Sequence, residues 1–126
     1  FFQTILRDYP KTFLVAEADG KVVGYIMCRA ERILSKLDRF RFRRAGHVIS
    51  IAVLPEYRNR GIASSLLSRA MKLLRDEYGC EEVFLEVRVS NFPAISLYEK
   101  LGFIKVNVSK RYYLDGEDAY IMARRL

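Results

Sequence analysis

The chain lacks tryptophan and holds one histidine, two cysteines and three prolines among 126 residues. A single histidine, His47, excludes a multi-histidine metal centre. Cys28 and Cys80 are too far apart for a paired-cysteine motif, so no metal is expected and a reducing, cytoplasmic setting fits them. No apolar run approaches a membrane span, and the start lacks the pattern of a secretory leader. The first residues are Phe1 and Phe2 with no methionine, so a segment upstream of Phe1 is expected. Repeats and linkers are missing too. What is present is a chain of single-domain size, 51% hydrophobic, with 22 Lys and Arg against 15 Asp and Glu. The net charge of +7 attracts anions in general (nucleotide phosphates, RNA, acidic membranes) without choosing among them.

The chain is organised around residues 48–74. Residues 48–54 are apolar and β-branched and read as a buried strand. A short basic loop through Arg58, Asn59, Arg60 and Gly61 follows, and an amphipathic helix begins at Ile62. The first amides of a helix have no intrahelical acceptor, and the helix dipole makes that end positive, so it suits an anion. Gly61 lets a phosphate approach the backbone, Ala63 and Ser64 do not block it, and Arg58 and Arg60 add charge. The loop reads as a pyrophosphate cradle or, more plainly, as a solvated turn.

Elsewhere, Phe2, Ile5, Leu6 and Tyr9 fall at helical spacing and read as the end of a helix closed by Pro10. Residues 12–18 and 21–29 are apolar runs joined by Asp19-Gly20, a hairpin signal. Residues 30–45 are less defined. They contain the run 36–44, in which Phe40 and Phe42 alternate with arginines. That run is a candidate RNA contact, since arginine binds phosphate and rings stack on bases, or else an edge with solvated arginines. Residues 46–54 form the strand, and Ile62, Leu66, Leu67, Ala70, Met71, Leu74 and Tyr78 mark the buried face of a helix ended by Gly79.

Residues 82–89 alternate, with Val83, Leu85, Val87 and Val89 on one face and Phe84, Glu86 and Arg88 on the other. A carboxylate in mid-strand is costly when buried and unpaired. Glu86 is therefore either a base held in a cleft or a solvated residue of an edge strand. Residues 90–103 read as a short helix with Pro93 in its first turn and Gly102 past its end. Strands over 104–113 and 119–124 finish the chain. This order implies one α/β domain over residues 1–126, a mixed, mostly antiparallel sheet with helices on both faces, and a cofactor where strand ends diverge.

The spacing Arg58-x-x-Gly61-x-Ala63 after an apolar strand resembles the acetyl-CoA signature of the GNAT superfamily of N-acetyltransferases. Asn91, Ala94, Leu97, Tyr98, Gly102 and Phe103 resemble its second signature, in the right order and at the right separation. The ending from Tyr112 to Met122, with Tyr113, Asp115, Gly116, Glu117, Asp118, Ala119 and Tyr120, is similar to that of N-terminal acetyltransferases. Those are the archaeal enzymes and the catalytic subunit of the eukaryotic NatA complex. The resemblance covers the whole chain and starts at the second helix of that fold, with the first strand and helix expected upstream.

The resemblance implies the GNAT fold with a splayed central strand pair, and acetyl transfer from acetyl-CoA to a protein's α-amino group. It implies that His47 and Glu86 together deprotonate the amine, although a lone histidine is more often structural. It implies that Tyr98 donates to the leaving thiolate; the plainer alternative is a core aromatic. Ile51, Ala52 and Val53 would pair their backbone with the pantetheine arm. Arg58, Asn59, Arg60, Gly61, Ile62, Ala63 and Ser64 would hold the diphosphate, and Asn91 would bond the cofactor. Tyr112 and Tyr113, with Glu86, would grip the peptide's first residues, or else Tyr112 and Tyr113 form a hydrophobic strand end.

Expected partners are the N-termini of nascent or mature proteins, with a possible weak ribosome or RNA association through residues 36–44. No membrane partner is expected, and the chain is expected to be a monomer or weak oligomer. Rival readings are a RimI-type ribosomal-protein alanine acetyltransferase or a small-amine acetyltransferase, an RNA-binding module built on residues 36–44, and an inactive cofactor-binding subunit.

Overall fold

Asp19 and Gly20 adopt positive φ of 53° and 75°, the backbone a two-residue hairpin turn demands, and they join the strands β2 (Phe13–Ala18) and β3 (Lys21–Leu34). The computed structural model describes residues 4–9 and 12–126. Its remaining elements are β1 (Ile5–Tyr9), β4 (Phe42–Val53), a one-turn 3₁₀ helix (Pro55–Tyr57), α1 (Ile62–Asp76), β5 (Glu82–Arg88), α2 (Phe92–Lys100), β6 (Ile104–Ser109) and β7 (Ala119–Arg125). The strands form one seven-stranded sheet in the order β1-β2-β3-β4-β5-β7-β6. All neighbours are antiparallel except β4 and β5.

That parallel pair positions the site. It is in register only at Ala45↔Glu82, Gly46↔Val83 and His47↔Phe84. Beyond His47 the two strands diverge, so the edge of residues 48–53 that faces β5 has no partner strand. The crossover from β4 to β5 runs through α1, as a parallel connection requires. α1 buries Ile62, Leu66, Leu67, Ala70, Met71 and Leu74, the stripe its sequence spacing foretold. Its close seat on β4 depends on Gly46. A Cβ there would stand 2.4 Å from Leu74 Cδ1, and Leu74 is fully buried.

The mixed, mostly antiparallel sheet with flanking helices and a splayed central pair is present. The helices do not divide between the two faces among the described residues. Both α1 and α2 bury their side chains in one large cluster with Leu14, Val23, Ile26, Val48, Val83, Leu85 and Met122. On the other side of β5, Ala45, Phe84 and Ala123 form a smaller cluster with Ile33, Leu37, Val106 and Ile121.

Three further expectations are corrected. The first described residues are not the end of a helix: Ile5–Tyr9 is a strand, antiparallel to β2 from Ile5↔Glu17 to Tyr9↔Phe13. So few residues cannot stabilise a helix alone, whereas the edge of β2 offers a full ladder of backbone partners. Phe2 and Pro10, also part of that expectation, lie outside the described residues. The strand expected over 104–113 ends at Ser109, so Tyr112 and Tyr113 lie on the β6–β7 loop and not at a strand end. β5 is internal, between β4 and β7, so Glu86 is not on an edge strand.

Residues 30–45 resolve into the outer half of a long β3–β4 hairpin. A residue the sequence reading passed over, Glu82, holds its loop. Glu82 is fully buried, accepts the Ser35 hydroxyl at 2.6 Å and accepts the Lys36 amide at 2.8 Å.

Candidate active site

At the point where β4 leaves β5, His47 Nε2 and Glu86 Oε1 share a hydrogen bond of 2.7 Å. Register and alternation explain it. His47 is the last residue of β4 paired with β5, opposite Phe84, and Glu86 is one pleat further along the same face of β5. The imidazole stacks on Phe84 with ring centroids 4.3 Å apart and planes at 9°. Its Nδ1 is buried without a hydrogen-bond partner among the described residues, and the carboxylate on that side is Glu31 Oε1, at 3.9 Å. Arg29, the cross-strand neighbour of His47, holds Glu31 through Nε at 3.1 Å.

The negative charge of Glu86 reaches the β6–β7 loop. Burial first, and then nearby Glu86, raises the Tyr112 phenol above its ordinary value. Burial also raises Tyr113, with Tyr112 and Glu86 adding to it. The loop is tied down by Arg88, which bonds Asp115 at 2.8 Å and Glu117 at 3.0 Å and lays its guanidinium 4.0 Å from the Tyr113 ring centre. Glu117 also accepts the Ser90 amide, and Asp118 accepts the Arg111 amide. The acidic residues of this loop thus brace it beside Glu86.

A groove of about 640 Å³ opens between the free edge of β4, the start of α1 and one side of α2. Ile51, Ala52, Val53, Arg58, Asn59, Gly61, Ile62, Ala63, Ser64, Asn91 and Tyr98 all line it, so eleven of the twelve expected cofactor residues converge there. The twelfth, Arg60, places its guanidinium 4.9 Å from the centre of the Tyr57 ring and is not in the lining. Gly61 caps α1 with φ of 78°, and a Cβ there would meet nothing within 4 Å. Its glycine is therefore required by the left-handed turn, and the space beside it is open. The first bond of α1 runs from the Ser65 amide to the Gly61 carbonyl at 2.9 Å. The amides of Ile62, Ala63 and Ser64 precede it and have no intrahelical acceptor.

Arg58 is partly committed to the fold, donating from Nε to the Val53 carbonyl at 3.0 Å. Asn91 caps α2, accepting the Ala94 amide at 3.3 Å through Oδ1, which leaves its side-chain amide nitrogen to donate to a ligand. Tyr98 is 7% exposed and packs tilted against Phe103 at 5.9 Å, yet it also lines the groove. Burial, and secondarily Tyr113, pushes its phenol above the ordinary range, which keeps its proton available for donation.

Pro93, Ala94 and Leu97, read in the sequence only as parts of a helix and its signature, also line the groove, and Tyr57, Ser96 and Lys100 line it without having been read at all. Pro93, Ser96, Leu97 and Lys100 repeat at helical spacing, so the exposed stripe of α2 was the available signal. Unpaired strand amides, a helix start and a neighbouring cation fit a long, anionic, amide-containing ligand such as acetyl-CoA. Among the described residues no cluster of His, Cys, Asp or Glu is arranged as a metal site, and no helix is long and apolar enough to cross a membrane.

Comparison with known proteins agrees with this geometry. The profile of the acetyltransferase (GNAT) family matches residues 1–103. The chain is 56% identical to an N-alpha-acetyltransferase of Saccharolobus solfataricus, across 100% of this chain and 76% of that protein. Among solved structures, Ard1 from Thermoplasma volcanium superimposes with a TM-score of 0.80 at 32% identity, covering 95% of this chain and 74% of that one. The structure of the NatC complex bound to Gag peptide and CoA gives a TM-score of 0.80 at 30% identity, covering 93% and 72%.

Proposed function

Because the chain belongs to the acetyltransferase (GNAT) family and is an acetyl-CoA-dependent acyltransferase acting on amino groups, we propose that its acceptor is the N-terminal α-amino group of proteins. The observation that carries this reading is the His47–Glu86 hydrogen bond of 2.7 Å, set at the mouth of the strand splay and beside the braced Tyr112–Tyr113 loop. The similarity to N-alpha-acetyltransferases supports it.

Acetyl-CoA, held along the free edge of β4 and the start of α1, supplies the acetyl group: the amine nitrogen bonds to the thioester carbon, the C–S bond breaks and sulfur leaves with the electron pair. The chain's residues do the rest. An α-amine titrates near about 8, so a useful fraction is already neutral and a modest base suffices. His47 and Glu86 are that base: one takes the amine proton and the hydrogen bond shares it with the other. Once the imidazole is protonated both of its nitrogens donate, one to Glu86 and the other towards Glu31. A β4 amide left without a partner strand donates to the developing oxyanion. The Tyr98 phenol gives its proton to the departing thiolate. Tyr112 and Tyr113 wall the approach, so the acceptor enters from the face that carries Glu86.

The test is acetylation by full-length protein of peptides beginning Ser, Ala, Thr or Met-Leu. N-terminally blocked peptides containing lysine, a ribosomal-protein peptide beginning with Ala, and small polyamines serve as competitors. Mass spectrometry should place the label on the α-nitrogen of the free peptides. Label confined to lysine side chains or to polyamines would overturn the assignment of the acceptor, and label confined to the ribosomal peptide's α-nitrogen would narrow it to that one N-terminus.

A further inference from the structure

The outer half of the β3–β4 hairpin presents a surface that the acetyl-transfer reading does not use. Phe42 and the groove-lining Ile51 are separated along β4 by roughly 30 Å of strand. On one face of the hairpin, Leu34 and Phe42 are cross-strand partners, exposed by 51% and 64%. One step inward, Arg32 and Arg44 are also direct partners. Like charges directly opposite each other destabilise a hairpin, and neither arginine is ion-paired with a carboxylate among the described residues. Arg44 donates to the Tyr78 carbonyl, and Arg32 lies 5.7 Å from the Phe42 ring centre.

The acidic residues of the hairpin are engaged elsewhere, Asp38 by Arg43 and Arg125, and Glu31 by Arg29. Exposed Arg39 and Arg41 flank Phe40 at the tip. Phe40 combines a left-handed backbone, φ 64°, with 89% exposure of the residue. Such a conformation is strained for a bulky side chain and persists only where its surroundings enforce it. Here they do, because Glu82 fixes Ser35 and Lys36, and the Ser35 hydroxyl accepts the amides of Leu37 and Asp38. The backbone that carries Phe40 and its flanking arginines is thus held in the free chain.

We propose that this face of the hairpin binds single-stranded nucleic acid, with arginines on the phosphates and Phe40 and Phe42 stacked on unpaired bases. Separated rings interleaved with cations match a strand whose phosphates and bases alternate. An acidic peptide would leave the rings idle, and an anionic membrane would call for a broader continuous apolar face. The inference is independent of the acceptor assigned above.

The experiment uses the full chain and fluorescence anisotropy with labelled oligo(U) RNA and oligo(dT) DNA, which distinguish the two sources of the strand. A duplex of equal length and vesicles containing phosphatidylserine serve as competitors. Single strands should bind more tightly than duplex or vesicles. Phe40→Gly removes the ring while easing the backbone, so it should weaken binding about fivefold or more with thermal stability and peptide acetylation unchanged. Arg39→Gln with Arg41→Gln should flatten the slope of log affinity against log salt by about 1.4. Phe40→Leu keeps an apolar group without a ring and should behave like the glycine variant. Preference for vesicles or duplex, or an unchanged affinity and slope in these variants, would overturn the proposal.

Discussion

His47 and Glu86, 39 residues apart in the chain, meet through a 2.7 Å hydrogen bond at the last rung of the only parallel ladder among the described strands. The bond makes them one unit, with consequences for mutation. Glu86→Gln and His47→Ala should each lower kcat by about 10²-fold or more, the usual contribution of a positioned base. Acetyl-CoA affinity, measured by calorimetry, should stay near that of the unaltered protein. Removing both should cost little more than removing one, because they handle the same proton. Full activity in the double variant would take both out of the mechanism.

Tyr98 is buried, and its raised phenol keeps its proton through neutral pH. Tyr98→Phe should therefore reduce kcat roughly a hundredfold across the neutral range, with KM for peptide little changed. An unchanged rate would reduce Tyr98 to its packing against Phe103.

Gly61 tests the carrier site. Its φ of 78° is costly for any residue with a Cβ, and that Cβ would project into the open space beside the start of α1. Gly61→Ala should raise the Kd for acetyl-CoA about tenfold, equivalent to about 1.4 kcal/mol. Far-ultraviolet circular dichroism should show the fold intact. An unaltered Kd would mean that the amides after Gly61 do not hold the diphosphate.

Gly46 couples packing to chemistry. Gly46→Ala sets a methyl group against buried Leu74, an overpacking that costs about 1–3 kcal/mol. Because the neighbouring residue is His47, the melting temperature and kcat should fall together. Loss of stability with full activity would show that α1 can shift without moving the base.

Alkali gives a further check. Burial, with a smaller contribution from Cys80, raises the Cys28 thiol from 9.0 to about 12. Below its unfolded value both states keep the proton and this group leaves stability unaltered by pH. Above it the unfolded chain gives up the proton first, so unfolding is favoured and stability falls as pH rises towards the folded value. Melting temperature should decline from about pH 9 upward, and Cys28→Ala should make that decline shallower. An identical slope in the variant would assign the decline to other groups, such as the raised tyrosines.

Features set by local periodicity could be read from the amino acids in order. The Asp19-Gly20 turn needs only the two residues that tolerate its φ, and the α1 stripe needs only a 3.6-residue repeat. The two GNAT-like motifs lie within single strand-loop-helix segments, so nearly the whole groove followed from them. Other features depend on which distant strands become neighbours, and contiguous residues carry no record of that. Ile5–Tyr9 became a strand because the edge of β2 was there to pair with. His47 found Glu86 because β4 and β5 stay in register for three rungs and then part. Glu82 was buried by the loop it anchors, and Tyr112 and Tyr113 were placed by Arg88 holding Asp115 and Glu117. Local spacing thus specified the turns and the helix face, while the packing of separate strands into one sheet selected the residues that touch.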